Sequence, residues 1–217
     1  MNLRKAFLAE LIGSAFLLAV VVGSGIMAER LANGNNAIAL LANAIATGAA
    51  LVALIIAFGA HSGAHFNPVV TLAEAWLGKL AWRIVPIYFL AQIIGAYLGV
   101  AAAHFMFELP LFSASEHLRT GPSQWFSEFV ATFGLLTVIL HGVENRPGAV
   151  PYMVGAYITA AYWFTSSTSF ANPAVTLARA TTNTFSGIYP AHAPMFIVAQ
   201  IVGLVTAVMF YKSQYKQ

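Results

Sequence analysis

Cysteine is absent from all 217 residues, so neither a disulfide framework nor a thiolate metal site can be built. Charge is scarce as well. Asp, Glu, Lys and Arg make up 8% of the chain, against about 25% in a soluble domain whose surface must face water. That deficit excludes an ordinary soluble globule. The basic residues are scattered, with Arg4-Lys5 and the tail Lys212 and Lys216 the densest spots, so the formal charge of +3 is no footprint for nucleic acid. The chain also lacks a nucleophile–base pair, a Gly-rich phosphate loop and a metal-ligand cluster. This argues against an enzyme and against a bound metal or other cofactor.

Apolar sequence is plentiful: 59% of residues are hydrophobic and the mean hydropathy is +0.77. A membrane span needs about 20 apolar residues. Runs at 6–28, 37–58, 82–106, 124–142, 149–167 and 190–211 approach or exceed that length. The first run follows Arg4-Lys5 as a signal peptide would. It extends from Ala6 to Ala28 through Glu10, beyond the about 7–15 residues of a signal's apolar region, and reads as the first span. Segments 67–77 and 172–181 are apolar but too short to cross, and each opens on Asn-Pro, a helix-start signal. Short helices at membrane depth survive only inside protein or beside a water-filled cavity. The expected fold is an all-α membrane protein with six transmembrane helices plus two half-helices, residues 1–217 forming one transmembrane domain.

The chain also repeats itself. Asn67-Pro-Val-Val-Thr-Leu-Ala73 recurs as Asn172-Pro-Ala-Val-Thr-Leu-Ala178 with one mismatch in seven. Ala9-Glu10-Leu-Ile-Gly13 has a looser counterpart in Ser127-Glu128-Phe129, and Ala91-Gln92-Ile-Ile-Gly95 matches Ala199-Gln200-Ile-Val-Gly203. Two repeats, about 1–110 and 120–217, therefore each hold three spans and a half-helix. An odd number of spans per repeat places the second copy upside down, the inverted arrangement of many channels and transporters. Placing the N-terminus inside puts Arg4, Lys5, Lys79, Arg83, Arg146, Lys212 and Lys216 in the cytoplasm and Arg30, Arg119 and Arg179 outside. The expected topology is multi-pass, with both termini cytoplasmic.

The paired Asn-Pro motifs carry the chemistry. A half-helix ending at mid-membrane points its positive dipole end and unpaired N–H groups there. Two such ends facing each other repel cations, hydronium included. The Asn67 and Asn172 carboxamide oxygens can cap their own helices, leaving the NH₂ groups to donate to a passing hydroxyl or water. A solute held by both donors cannot relay a proton. The plainer alternative, two unrelated helix caps in loops, does not account for near-identical heptads in register with a repeat.

Ser62-Gly63-Ala64-His65-Phe66-Asn67-Pro68-Val69-Val70-Thr71 and Phe170-Ala171-Asn172-Pro173-Ala174 resemble the signature loops of the aquaporin and aquaglyceroporin family, and the likeness runs from about Ala6 to Tyr211. The resemblance implies a right-handed six-helix bundle, a homotetramer with one pore per subunit, and small neutral solutes and the lipid bilayer as the only partners. Glu10 and Glu128 match family glutamates buried beside the half-helices, where they accept bonds from loop backbone; a proton relay is the alternative. Gln92 and Gln200 fit interhelical packing. His61 resembles a position facing the cytoplasmic vestibule, and His65 a buried scaffold residue.

One part departs from the family. Counting without gaps from the two Asn residues, the four outer-constriction positions are Thr47, Ala160, Ser169 and Val175. Family members carry an Arg at the last of these. The expectation is a wide filter without that Arg, with Val69 in place of Ala widening or narrowing the bore only slightly. Arg179, one turn beyond Val175, reads as an interfacial anchor, with a substitute for the missing filter Arg as the alternative. A filter of this kind resembles a bacterial aquaglyceroporin branch associated with arsenic resistance, which implies passage of arsenite as neutral As(OH)₃ alongside water and glycerol. Two alternatives stay open: an ordinary water or glycerol facilitator with a drifted filter, and a secondary active transporter, which would need a coupling site that only Glu10 and Glu128 could supply.

Overall fold

A computed structural model describes residues 2–215. Lys216, counted above for orientation, lies outside them. The described residues form eight α-helices and no strand. Helices α1 (Leu3–Leu31) and α2 (Asn36–Ser62) are followed by the short α3 (Pro68–Trp76). A 3₁₀ turn at Trp82–Ile84 leads into α4 (Val85–Met106), and a 15-residue connection (107–121) reaches α5 (Pro122–Asn145). The second half repeats the order: a turn at Pro147–Ala149, α6 (Val150–Phe164), the short α7 (Pro173–Arg179), a turn at Pro190–His192, and α8 (Ala193–Gln214).

Local chemistry explains the boundaries. Asn2 and Asn35 cap α1 and α2, their side-chain oxygens accepting from Lys5 N at 3.2 Å and Ala37 N at 3.1 Å. Gly63 ends α2 in the left-handed conformation, φ 86°. Pro68 and Pro173 open the half-helices at a position whose N–H would be unpaired anyway.

Among the described residues, five helices are long and apolar enough to cross a membrane. The span expected over 149–167 is shorter than the sequence suggests: α6 stops at Phe164 after 15 residues. The run Thr165-Ser-Ser-Thr-Ser169 leaves the helix because its hydroxyls compete for backbone groups, as Thr165 Oγ1 does on Ala161 O at 2.6 Å. With its 3₁₀ turn α6 still reaches about 28 Å, close to the hydrocarbon thickness of about 30 Å.

The burial pattern is inverted relative to a soluble protein. Phe105 is 78% exposed and Phe16 57%, whereas Glu10, Gln92, Glu128 and Gln200 are at 0%. Apolar side chains face outward because hydrocarbon is the surrounding solvent, and the polar groups must find one another inside. Helix α1 packs broadly on α2, and three further pairings build the bundle: α1 with α4, α5 with α8, and α2 with α6 between the halves. Glycine permits each of these three. A Cβ on Gly95 would strike Leu11 O, one on Gly203 would sit 2.8 Å from Phe129 O, and one on Gly155 would sit 2.6 Å from Gly48 O. Without hydrophobic drive between helices in lipid, such close backbone contact supplies the association energy.

Candidate functional site

The loops entering the half-helices adopt unusual backbone. Ala64 and Phe66 have φ of 50° and 49°, and Ser169 and Ala171 of 52° and 47°. Each left-handed non-glycine residue costs about 1–2 kcal/mol, so something must hold these loops. Two buried carboxylates do so. Glu10 accepts from His65 N at 2.9 Å, Phe66 N at 2.7 Å, Ser62 Oγ at 2.6 Å and Gln92 Nε2 at 2.8 Å. Glu128 accepts from Phe170 N and Ala171 N, both at 2.8 Å, and from Gln200 Nε2 at 2.7 Å. Consecutive N–H groups turned to one side make an anion-binding concavity, and here the anion is built in. Gln92 and Gln200 reach further than helix-to-helix packing. Each also donates to a threonine in a half-helix, Thr71 Oγ1 and Thr176 Oγ1, both at 2.9 Å.

The half-helices meet at their N-termini. Asn67 Oδ1 accepts from Val69 N at 3.0 Å, and Asn172 Oδ1 from Ala174 N at 3.0 Å and Val175 N at 3.3 Å, so each asparagine caps its own helix. The NH₂ groups cross over. Asn67 Nδ2 donates to Ala171 O and Asn172 Nδ2 to Phe66 O, both at 2.8 Å. Each amide thus spends one of its two protons on the opposite loop, locking the two ends together. One N–H per residue, rather than the whole NH₂, is left for a solute.

Both asparagines line a cavity of about 310 Å³ running between the halves. Its walls are mostly aliphatic, including Leu51, Ile55, Leu135 and Val154, with polar groups at a few points. Thr47, Ser169 and Val175 line it. Ala160 does not, which corrects the gap-free count. It is exposed on the face of α6 shared with Tyr152, Ala156 and Trp163, while Ile158 and Tyr162 face the cavity. Tyr162 therefore stands where a small residue was expected, its hydroxyl 3.3 Å from Thr47 Oγ1. Val69 is also away from the lumen, packed with Ala73, Leu136 and Leu204, and Val70 takes the lining position. Pro68, Pro173 and Ala174 are buried and do not line the cavity.

Arg179 is not an interfacial anchor. It is 2% exposed and lines the cavity. At the other end, His61 is exposed and lines a second cavity of about 520 Å³ with Lys5, Lys79 and Tyr88. Gly63, His65 and Glu74 line both cavities, which therefore lie side by side. His65 is thus half-buried at the junction, its Nδ1 3.1 Å from Thr71 Oγ1.

At the opposite end of the bundle the 107–121 and 180–189 loops form a bonded layer. Ser113 N and Ser115 N donate to Thr181 O and Ala180 O at 3.0 and 3.1 Å, and Tyr189 N to His117 O at 2.7 Å. His104, buried at the end of α4, ties the layer down through Thr182 Oγ1 and Pro110 O, both at 2.6 Å. No residue pattern in the sequence marked this layer.

Residues 1–168 match the family model described as Major intrinsic protein. The aquaglyceroporin AqpS of Rhizobium meliloti (strain 1021) is 54% identical over 206 residues, 95% of this chain and 88% of that protein. The aquaporin NIP1-1 of Zea mays is 35% identical over 162 residues, covering 72% of this chain and 55% of that longer protein. The X-ray structure of the aquaglyceroporin from Plasmodium falciparum superposes with a TM-score of 0.76 over 97% of this chain and 96% of that one; at 22% identity this likeness speaks for the fold alone.

Proposed function

Since this chain belongs to the major intrinsic protein family, and is thus a multi-pass membrane channel rather than an enzyme, we propose that it conducts small neutral hydroxylated solutes passively and in both directions: water, glycerol and neutral metalloid hydroxides such as arsenous acid. The observation that carries this reading is the lined cavity that takes in both Asn67 and Asn172. Its aliphatic walls offer a solute no hydrogen bonds, so a permeant must be neutral and compact. The few polar points, the two asparagine N–H groups and the Thr47 and Tyr162 hydroxyls, replace part of its hydration in sequence. The 54% identity to AqpS supports the aquaglyceroporin assignment.

In this reading residues 1–217 form one channel domain of two inverted repeats, with both termini and the His61 vestibule cytoplasmic in a bacterial inner membrane. Four copies associate as a homotetramer, each with its own pore. Thr47, Tyr162, Ser169 and Val175 form the outer constriction, with Tyr162 making it narrower than an all-small filter. Glu10 and Glu128 support the half-helix loops. A secondary transporter is disfavoured because both carboxylates are saturated by the loops they hold. The test is stopped-flow light scattering on proteoliposomes challenged with glycerol or arsenous acid, with no ion gradient. Rapid volume recovery with both solutes is expected. Water flux without arsenous acid flux would remove the metalloid cargo, and a requirement for an ion gradient would overturn the channel reading.

A further inference from the structure

Val175, directly after the second Asn-Pro-Ala, is uncharged, yet the outer end of the cavity is not without cations. The Arg179 guanidinium carbon lies 3.4 Å from the centroid of Phe170, and that of Arg119 lies 5.5 Å from the same ring. Phe170 is buried in the loop before α7 and lines the cavity. The two arginines are engaged differently. Arg119, from the α4–α5 connection, points its donors into protein: Nε to Gly187 O at 2.8 Å, Nη2 to Phe185 O at 3.3 Å and Nη1 to Ser167 O at 3.4 Å. Arg179 donates from Nε to Ser186 O, and its two terminal nitrogens donate to no protein acceptor among the described residues. Beside it in the lining is Ser169, whose Oγ is buried and has no partner.

Helix geometry explains how a residue one turn on reaches this level. Side chains on a helix lean toward its N-terminus, so the patch that Arg179 covers lies over the turn holding Val175. The carboxylate of Glu128 is committed to Phe170 N, Ala171 N and Gln200, leaving the Arg179 charge unpaired. The negative face of the Phe170 ring and the carbonyls around Arg119 offset the repulsion between the two cations.

We infer that Arg179 supplies the fixed positive charge of the outer constriction, one helical turn beyond the residue that follows the second Asn-Pro-Ala, and that Arg119 positions it through Phe170. This rests on the channel reading above. The free Arg179 nitrogens meet the oxygens of a passing polyol or metalloid hydroxide, while the charge repels cations in a low-dielectric passage.

The experiment uses the full chain in proteoliposomes, with sodium and proton leak and glycerol flux measured on the same vesicles. Arg179→Gln removes the charge but keeps a donor for Ser186 O, and Arg179→Lys keeps the charge. Cation leak is expected to rise about tenfold or more in Arg179→Gln, to stay near the unmodified level in Arg179→Lys, and to rise to a smaller extent in Arg119→Gln. Should Arg179→Gln fail to reach the membrane, Val175→Arg/Arg179→Gln carries the test, since returning a cation one turn back restores exclusion. A conducting Arg179→Gln with no added leak, or an Arg179→Lys that leaks equally, overturns the inference. Absence of glycerol flux in the unmodified protein would instead overturn the channel reading.

Discussion

Replacing Glu128 with Gln tests whether a buried carboxylate holds the second half-helix loop. The carboxylate receives three donors on two oxygens: Phe170 N on one, Ala171 N and Gln200 Nε2 on the other. A glutamine offers one oxygen. Its best orientation keeps that oxygen where Ala171 N and Gln200 converge and turns its own NH₂ toward Phe170 N, leaving two donors face to face. An unsatisfied buried N–H costs about 1–3 kcal/mol, and the two surviving bonds each weaken by about 1 kcal/mol on losing the charge. Relief of the carboxylate's own desolvation offsets part of this. The expected net loss is about 2–4 kcal/mol. Because Ser169 and Ala171 sit at φ of 52° and 47°, a loop released from its anchor relaxes, and the constriction relaxes with it. Thermal denaturation of the detergent-solubilised protein should show a clearly lowered Tm, and proteoliposomes should show a changed ratio of glycerol to water flux. An unchanged Tm together with an unchanged ratio would refute the anchoring argument.

Asn172→Asp replaces the Nδ2 donor to Phe66 O with an anion at a half-helix N-terminus, and sodium entry into proteoliposomes should appear; a cation-tight variant would remove the asparagines from charge rejection. Tyr162→Ala deletes the aromatic beside Thr47, so flux of a five-carbon polyol should rise relative to glycerol, and an unaltered ratio would take Tyr162 out of the constriction. Gly48→Ala puts a Cβ against Thr159 Oγ1 and 2.7 Å from Gly155 O at the α2–α6 crossing. Such overpacking costs about 1–3 kcal/mol, read as a lowered Tm, and a variant melting with the parent would show that this crossing is not close-packed.

The sequence by itself determined the membrane character, the helix count and the duplicated Asn-Pro ends. Each is a local property: charge content, length of apolar runs, and proline's missing N–H are set before the chain folds. Glu10, Glu128, Gln92 and Gln200 were legible for a related reason, since polar residues inside apolar runs must be satisfied internally. Tertiary structure decided which way side chains face and what they meet. Ala160 and Tyr162 lie two residues apart on one helix, about 200° around its axis. Only packing of α6 against α2, through Gly155 and Gly48, selects the face of Ile158 and Tyr162 for the cavity. The regular exposed stripe of Tyr152, Ala156, Ala160 and Trp163 was present in the sequence, but in a membrane helix both faces are apolar and hydrophobicity cannot tell lipid from lumen. The asparagine crossover joins residues more than a hundred positions apart. Arg179 needed Phe170, Ser186 and Arg119 brought together from three loops before it could be placed beside the cavity rather than at the interface.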